Sequence, residues 1–279
     1  MRLVSVQPPQ RKPVERRKNT KVARWVVLMV LIAGLVNYAR PLPSPTTLVQ
    51  LPDTLAPTSV AVAWPSPGYG SLFVDGYGAV AAQQGDDIIA TASIAKVITA
   101  LCVLEKSPLQ PGETGPLITM TQEDLDLYNA EIGRNGSRLY VEPGEQLSEY
   151  QLLQAMLIPS ANNIANTLAV WAFGSLDAYQ TYATNFAQRH ELVRTHIGTD
   201  ASGFDPSTTS TANDLAKLGQ LAVANPVLAE IASQKSASFP RAGTIYNYNS
   251  ALGVSGIDGV KTGNNDQNLG GLLFSAILT

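Results

Sequence analysis

Apolar residues run almost unbroken from Val22 to Ala39 (VARWVVLMVLIAGLVNYA), with only Arg24 and Asn37 intervening. Such a run predicts a helix, about long enough to cross a hydrocarbon core if its ends snorkel. Basic residues on its N-terminal flank predict a single pass, with the N-terminus cytoplasmic and the rest of the chain outside. A cleaved signal peptide is the alternative; the long basic head and the lack of an Ala-x-Ala site before Pro41 argue against it. Pro41, Pro43, Pro45, Pro52 and Pro57, mixed with Ser and Thr, then predict an extended tether.

Downstream the period changes twice. Runs at Val60–Trp64 and Ser71–Asp75, split by Pro65–Gly68, predict an antiparallel hairpin, whereas Ala79–Ala90 fits neither period clearly. From Ser93 to Lys235 the pattern is mostly helical. Ser148 with Gln151 reads as a capping box, Thr211 with Asp214 resembles one, and the stripe Leu152, Leu153, Met156, Leu157 is stopped by Pro159. Strand character returns at Thr244–Tyr248, Gly256–Lys261 and Gly271–Leu278. Strands, then helices, then strands predict an α+β domain whose terminal strands form one antiparallel sheet against a helical cluster. The predicted organisation is a basic head at 1–21, a transmembrane anchor at 22–39, a tether at 40–59 and one domain at 60–279.

Charge sharpens this division. Residues 1–24 hold eight Lys or Arg against Glu15 alone, so the remainder carries eleven basic and twenty-one acidic residues. An acidic main domain argues against nucleic acid as its ligand. Cys102 is the only cysteine, which rules out an intramolecular disulfide, and its apolar setting suits a packed thiol. His190 and His196 are the only histidines, with no Gly-x-Ser-x-Gly partner, so a Ser-His-Asp triad and a zinc site both lack support. Asp200, Asp205 and Asp214 lack calcium-loop spacing and suit local capping, while Tyr179, Tyr182 and Phe186 suit a packing stripe.

Three short motifs remain: Ser93-Ile94-Ala95-Lys96, Ser160-Ala161-Asn162 and Lys261-Thr262-Gly263. A Ser-x-x-Lys alone is expected about once by chance in a chain this long. Their order and settings carry more. At i+3 on a helix, Lys96 shares a face with Ser93, and an uncharged amine there can take the hydroxyl's proton. Pro159 breaks the preceding helix, so Ser160 and Asn162 begin a new segment aimed at a cleft. Lys261, Thr262 and Gly263 close a strand, where a cation, a hydroxyl and a missing side chain suit an extended peptide with a free carboxylate.

Together these motifs resemble those of penicillin-binding proteins and serine β-lactamases. Within that group, the stretch from about Val60 onward is similar to the low-molecular-mass D-alanyl-D-alanine carboxypeptidases of the peptidase S11 type. Gly136-Ser137-Arg138-Leu139 with Pro143-Gly144-Glu145, Ser210–Leu215, Asn247-Tyr248-Asn249 with Leu252-Gly253, and Gly256–Val260 add to the resemblance. The likeness implies a β-lactamase/transpeptidase-like fold and an acyl-enzyme on Ser93, with Lys96 as base and Ser160 passing a proton to the leaving amine. It implies that Asn162 holds the substrate amide and that Lys261 and Thr262 bind the terminal carboxylate beside Gly263. It further implies that the amides of Ser93 and Asn264 form the oxyanion hole. No metal or cofactor is implied. The implied partners are a peptidoglycan stem peptide ending in D-Ala-D-Ala, and β-lactams as inhibitors.

Two residues depart from the family pattern: Ala161 stands where glycine is common, and Asn163 where an acidic residue is frequent. The resemblance also implies a further strand and helix after Thr279, so the domain reads as C-terminally incomplete. The alternative to a hydrolase is a sensor or inactive relative that is acylated by β-lactam or peptidoglycan fragments without turnover. A β-lactamase is less well matched, because no carboxylate motif for hydrolytic water stands in the familiar arrangement between Ser160 and Lys261.

Overall fold

The structure is a computed structural model that describes residues 20–39, 62–265 and 268–277. Contacts divide the chain into two units, Met1–Thr58 and Ser59–Thr279. The predicted basic head up to residue 19 and the predicted tether at 40–59 lie outside the described residues.

In the first unit the apolar run is helix α1, Thr20–Ala39, with Trp25, Met29 and Leu35 exposed. Among the described residues no helix is long and apolar enough to cross a membrane. Only twelve residues separate Arg24 from Asn37. At about 1.5 Å per residue they extend roughly 18 Å, so a core about 30 Å thick would also take in Arg24 and Asn37.

The second unit mixes strands and helices. Strands β1 (Gly70–Val74) and β2 (Gly78–Gln83) form an antiparallel hairpin. The expected partner of the 71–75 run is therefore corrected: it pairs with the following stretch, and residues 62–65 form no strand. Pro65 and Pro67 lack the N–H groups a ladder needs, while the turn at 75–77 closes the observed hairpin. Short strand β3 (Ile89–Ala90) leads into a 3-10 turn, Ala92–Ile94, and then helix α2 (Ala95–Lys106).

Next come β4 (Leu117–Thr119), α3 (Gln122–Gly133), β5 (Gln146–Ser148), α4 (Glu149–Leu157), α5 (Asn162–Phe173) and α6 (Leu176–Arg189). The Ser148–Gln151 capping box forms as predicted, with both reciprocal bonds present. Leu152, Leu153, Met156 and Leu157 are all buried. After β6 (Thr209–Ser210), helix α7 (Ala212–Ala224) starts from Thr211, whose hydroxyl accepts from Asp214 N. Only half of that capping box forms, because the Asp214 carboxylate accepts from Arg194 N and Thr195 instead. Helix α8 (Pro226–Ser233), hairpin β7–β8 (Ser236–Phe239, Gly243–Tyr246) and hairpin β9–β10 (Ile257–Asn265, Asn268–Ala276) complete the unit.

The α+β class holds, but the single terminal sheet does not. Among the described residues, β1–β2 and β9–β10 are separate antiparallel pairs with no ladder between them, both packed on α7. The core lies where α2 meets α4, α5 and α6. Val97, Ile98, Cys102, Val103, Ile164 and Leu168 have no exposed surface. Burial also pushes the Cys102 thiol well above its ordinary proton affinity, as expected of a packing residue. His190 ends α6 against Phe186, and exposed His196 forms an isolated bridge with Thr209.

Candidate active site

The 3-10 turn places Ser93 one turn ahead of Lys96, and α2 then carries the lysine into the interior. Lys96 Nζ stands 2.7 Å from Ser93 Oγ. It also donates to Asn162 Oδ1 at 2.8 Å and to the Ser202 carbonyl at 3.0 Å, with no exposed surface of its own. The last two partners only accept. A neutral amine has two hydrogens and one lone pair, so its hydrogens go to Asn162 and Ser202 and its lone pair faces the Ser93 hydroxyl. Burial, and next the positive Lys261, hold Lys96 well below the usual lysine range, against an opposing pull from Asp200 and Glu131.

The second motif follows the end of α4. Ser160 is left-handed, with φ +63°, a conformation that costs a residue bearing a Cβ roughly 1–2 kcal/mol. It is 3% exposed, and its Oγ has no hydrogen-bond partner among the described residues. Ala161 is extended and N-caps α5, which puts Asn162 and Asn163 on the first turn. Asn162 Nδ2 donates to Glu131 Oε2 at 2.8 Å, and its backbone N–H donates to Ser137 O. Asn163 accepts from Leu139 N at 3.0 Å and donates to Leu139 O at 2.9 Å. A carboxylate could make only the first of those two bonds, so the departure from the family pattern at Asn163 fastens the 137–141 segment to α5.

The third motif lies on β9, which packs against the 3-10 turn. Lys261 is 2% exposed, and its Nζ donates to Thr262 O at 2.9 Å. Burial lowers its proton affinity to about 7. Gly263 touches the turn itself: a Cβ there would stand 2.9 Å from Thr91 O and 3.3 Å from Ala92 Cβ. Any side chain would push β9 off the serine. Thr262 is half-buried and Asn264 is exposed.

Hydrogen bonds thus join Ser93, Lys96 and Asn162 directly, and charge links Lys261 to Lys96. Ser160 is close in sequence but hydrogen-bonds none of them. Sequence reasoning missed Glu131, the Ser202 carbonyl and Asp200. Asp200 accepts from Gly203 N and Phe204 N, shaping the loop that presents Ser202. Thr99 donates to Ala201 O at 2.6 Å and accepts from Tyr179, holding that loop on α2 and α6. No motif marks a backbone carbonyl, and Asp200 reads as an ordinary turn residue.

The sequence profile of the D-alanyl-D-alanine carboxypeptidases, peptidase S11, matches residues 77–277. The chain belongs to this family. It is 34% identical over 152 residues to D-alanyl-D-alanine carboxypeptidase DacB2 of Mycobacterium tuberculosis, covering 53% of this chain and 47% of that one. It is 28% identical over 197 residues to D-alanyl-D-alanine carboxypeptidase DacC of Escherichia coli, covering 70% of this chain and 47% of that one. The chain spans about half the length of the curated relatives it matches. Among solved structures, the Streptomyces K15 DD-transpeptidase superposes with TM-score 0.66 at 22% identity, over 76% of this chain and 84% of that one. An evolved putative penicillin-binding protein homologue from Mycobacterium tuberculosis gives TM-score 0.60 at 30% identity, over 69% and 70%. The fold is that of the penicillin-binding DD-peptidases.

Proposed function

We propose that the chain is a serine-type D-Ala-D-Ala carboxypeptidase that removes the terminal D-alanine from peptidoglycan stem peptides. The observation that carries this reading is the Lys96 amine, buried, held by two acceptors and 2.7 Å from Ser93 Oγ.

Lys96 takes the hydroxyl proton as Ser93 Oγ bonds to the carbonyl carbon between the two D-alanines. Two backbone amides, of Ser93 and Asn264, receive the oxyanion. The C–N bond then breaks, Ser160 gives the departing amine its proton and receives the one held on Lys96, and D-alanine leaves. Water cleaves the ester and restores Ser93. Asn162 has a second Nδ2 hydrogen for the substrate's amide carbonyl, while Lys261 and Thr262 bind the terminal carboxylate. Gly263, bare of a side chain, lets β9 sit close against the 3-10 turn, so that an extended peptide along β9 lies beside Ser93. A β-lactam enters as a mimic of the same dipeptide and acylates Ser93.

The same proposal includes the division at 1–21, 22–39, 40–59 and 60–279. It also places the catalytic domain outside the cytoplasmic membrane, held there through the N-terminal helix. In its favour are the basic residues before α1 and the exposed apolar side chains along it. Fractionation of cells expressing the full chain tests this part; protein that leaves the membrane fraction without detergent contradicts it.

For the activity, the test is D-alanine release from a pentapeptide ending in D-Ala-D-Ala. The expected result is one D-alanine per peptide, lost in Ser93→Ala. Acylation by penicillin without D-alanine release would point to a sensor instead.

A further inference from the structure

We propose that Glu131 is a positioning residue: by accepting from Asn162 Nδ2, it locks that amide with Oδ1 toward Lys96 and so aims the Lys96 amine at Ser93. The proposal rests on the carboxypeptidase reading and adds to it a residue from outside the three motifs.

Asn162 stands between two groups of opposite demand. On one side lies the Lys96 amine, and on the other the Glu131 carboxylate, 2.8 Å from Nδ2. An asparagine amide is nearly symmetric in shape, so sterics alone do not choose between its two orientations. Glu131 chooses. In the flipped amide, Oδ1 would face a carboxylate that only accepts, and Nδ2 would point its hydrogens at the amine. One charge-assisted hydrogen bond would be lost and two acceptors would meet in a dry interior. With Oδ1 toward Lys96, one amine hydrogen is taken there, the Ser202 carbonyl takes the second, and the lone pair is left for Ser93.

The surroundings hold Glu131 to this task. Its residue is 1% exposed. Its other oxygen pairs with Arg134, whose guanidinium also lies over the Phe204 ring, 4.8 Å from the centroid. That contact ties α3 to the loop carrying Ser202, so both acceptors of Lys96 are fixed through one cluster. Gly136 makes room: a Cβ there would collide with Glu131 Oε2 and stand 2.8 Å from Asn162 Nδ2. Gly136 N in turn donates to the Glu131 backbone carbonyl at 2.9 Å.

Charge gives the role a second signature. The charged groups acting on Lys96 are Lys261 from β9, Asp200 from the loop before β6, and Glu131 from α3. Removing the Glu131 charge leaves Lys261 and burial less opposed, so the amine releases its proton at lower pH.

The test is the rate of penicilloyl-adduct formation on the full chain, followed by mass spectrometry across pH, for wild type, Glu131→Gln and Glu131→Leu. Glutamine retains an acceptor but no charge, and its acid limb is expected at lower pH than wild type. Leucine frees the amide to flip, and acylation is expected to slow about 10- to 100-fold at every pH. A purely structural role would lower the melting temperature without moving the acid limb of the molecules that remain folded. Should Glu131→Leu not fold, Glu131→Gln decides alone: an acid limb unchanged from wild type overturns the proposal. Wild-type rates in a folded Glu131→Leu overturn it as well. A wild-type chain that forms no adduct brings down the carboxypeptidase reading and this proposal together, whereas reactive wild type with indistinguishable variants brings down this proposal alone.

Discussion

Lys261 and Lys96 are both buried, and the positive charge of Lys261 lowers the proton affinity of Lys96. The proposed mechanism asks the two amines for opposite states: Lys96 neutral to accept a proton, and Lys261 charged to bind a carboxylate. Burial lowers both. Lys96 is further lowered by its neighbour, against an opposing pull from Asp200 and Glu131.

A bell-shaped pH profile is the expected result. As pH rises, the acylation efficiency of a carboxylate-bearing substrate should climb while Lys96 loses its proton, then fall as Lys261 loses its own near pH 7. In kcat the alkaline limb should lie higher than in kcat/KM, because a bound carboxylate holds the proton on Lys261. Measuring both parameters from pH 4 to 10 checks this. Coincident alkaline limbs would remove Lys261 from carboxylate binding.

Stability should show the cost of that lysine. Its proton affinity falls from 10.5 in the unfolded chain to about 7 in the folded one. Below about pH 7 the folded protein carries the buried charge and the full penalty applies. Between pH 7 and 10.5 the unfolded state binds more protons than the folded state, so stability rises with pH. At pH 7 the penalty is on the order of 4 kcal/mol. Lys261→Met should therefore raise the melting temperature by several degrees at pH 7, by less at pH 10, and should abolish carboxylate recognition. Thermal melts at the two pH values decide the first part.

Ser160 offers a similar trade. Its left-handed backbone suits glycine, and its hydroxyl has no partner among the described residues to lose. Ser160→Gly should be more stable than Ser160→Ala by about 1 kcal/mol, read as a melting difference of roughly 2–4 °C. Both should lose about 100-fold or more in turnover if the hydroxyl carries the amine's proton. Equal melting temperatures would contradict the backbone argument, and retained turnover would contradict the role.

Much of this site was legible before any coordinates because its groups are side chains in short local spacings. Ser93 and Lys96 are one helical turn apart, and the Ser148 box and Pro159 bracket a helix that ends at Leu157, just ahead of Ser160. What the sequence hid depends on distant segments meeting. Glu131 reaches Asn162 only because Gly136 leaves space, and Ser202 contributes a backbone atom that no residue type announces. The first hairpin was misjudged because an alternating run names its own face but not its partner, and prolines at 65 and 67 exclude the nearer candidate.

The most direct test of the central claim is mass spectrometry of the folded full chain after brief exposure to penicillin, with peptide mapping of the adduct. The account predicts one penicilloyl group, on Ser93, absent in Ser93→Ala and greatly slowed in Lys96→Ala. An adduct mapped to any other residue, or none on protein shown to be folded, would contradict it.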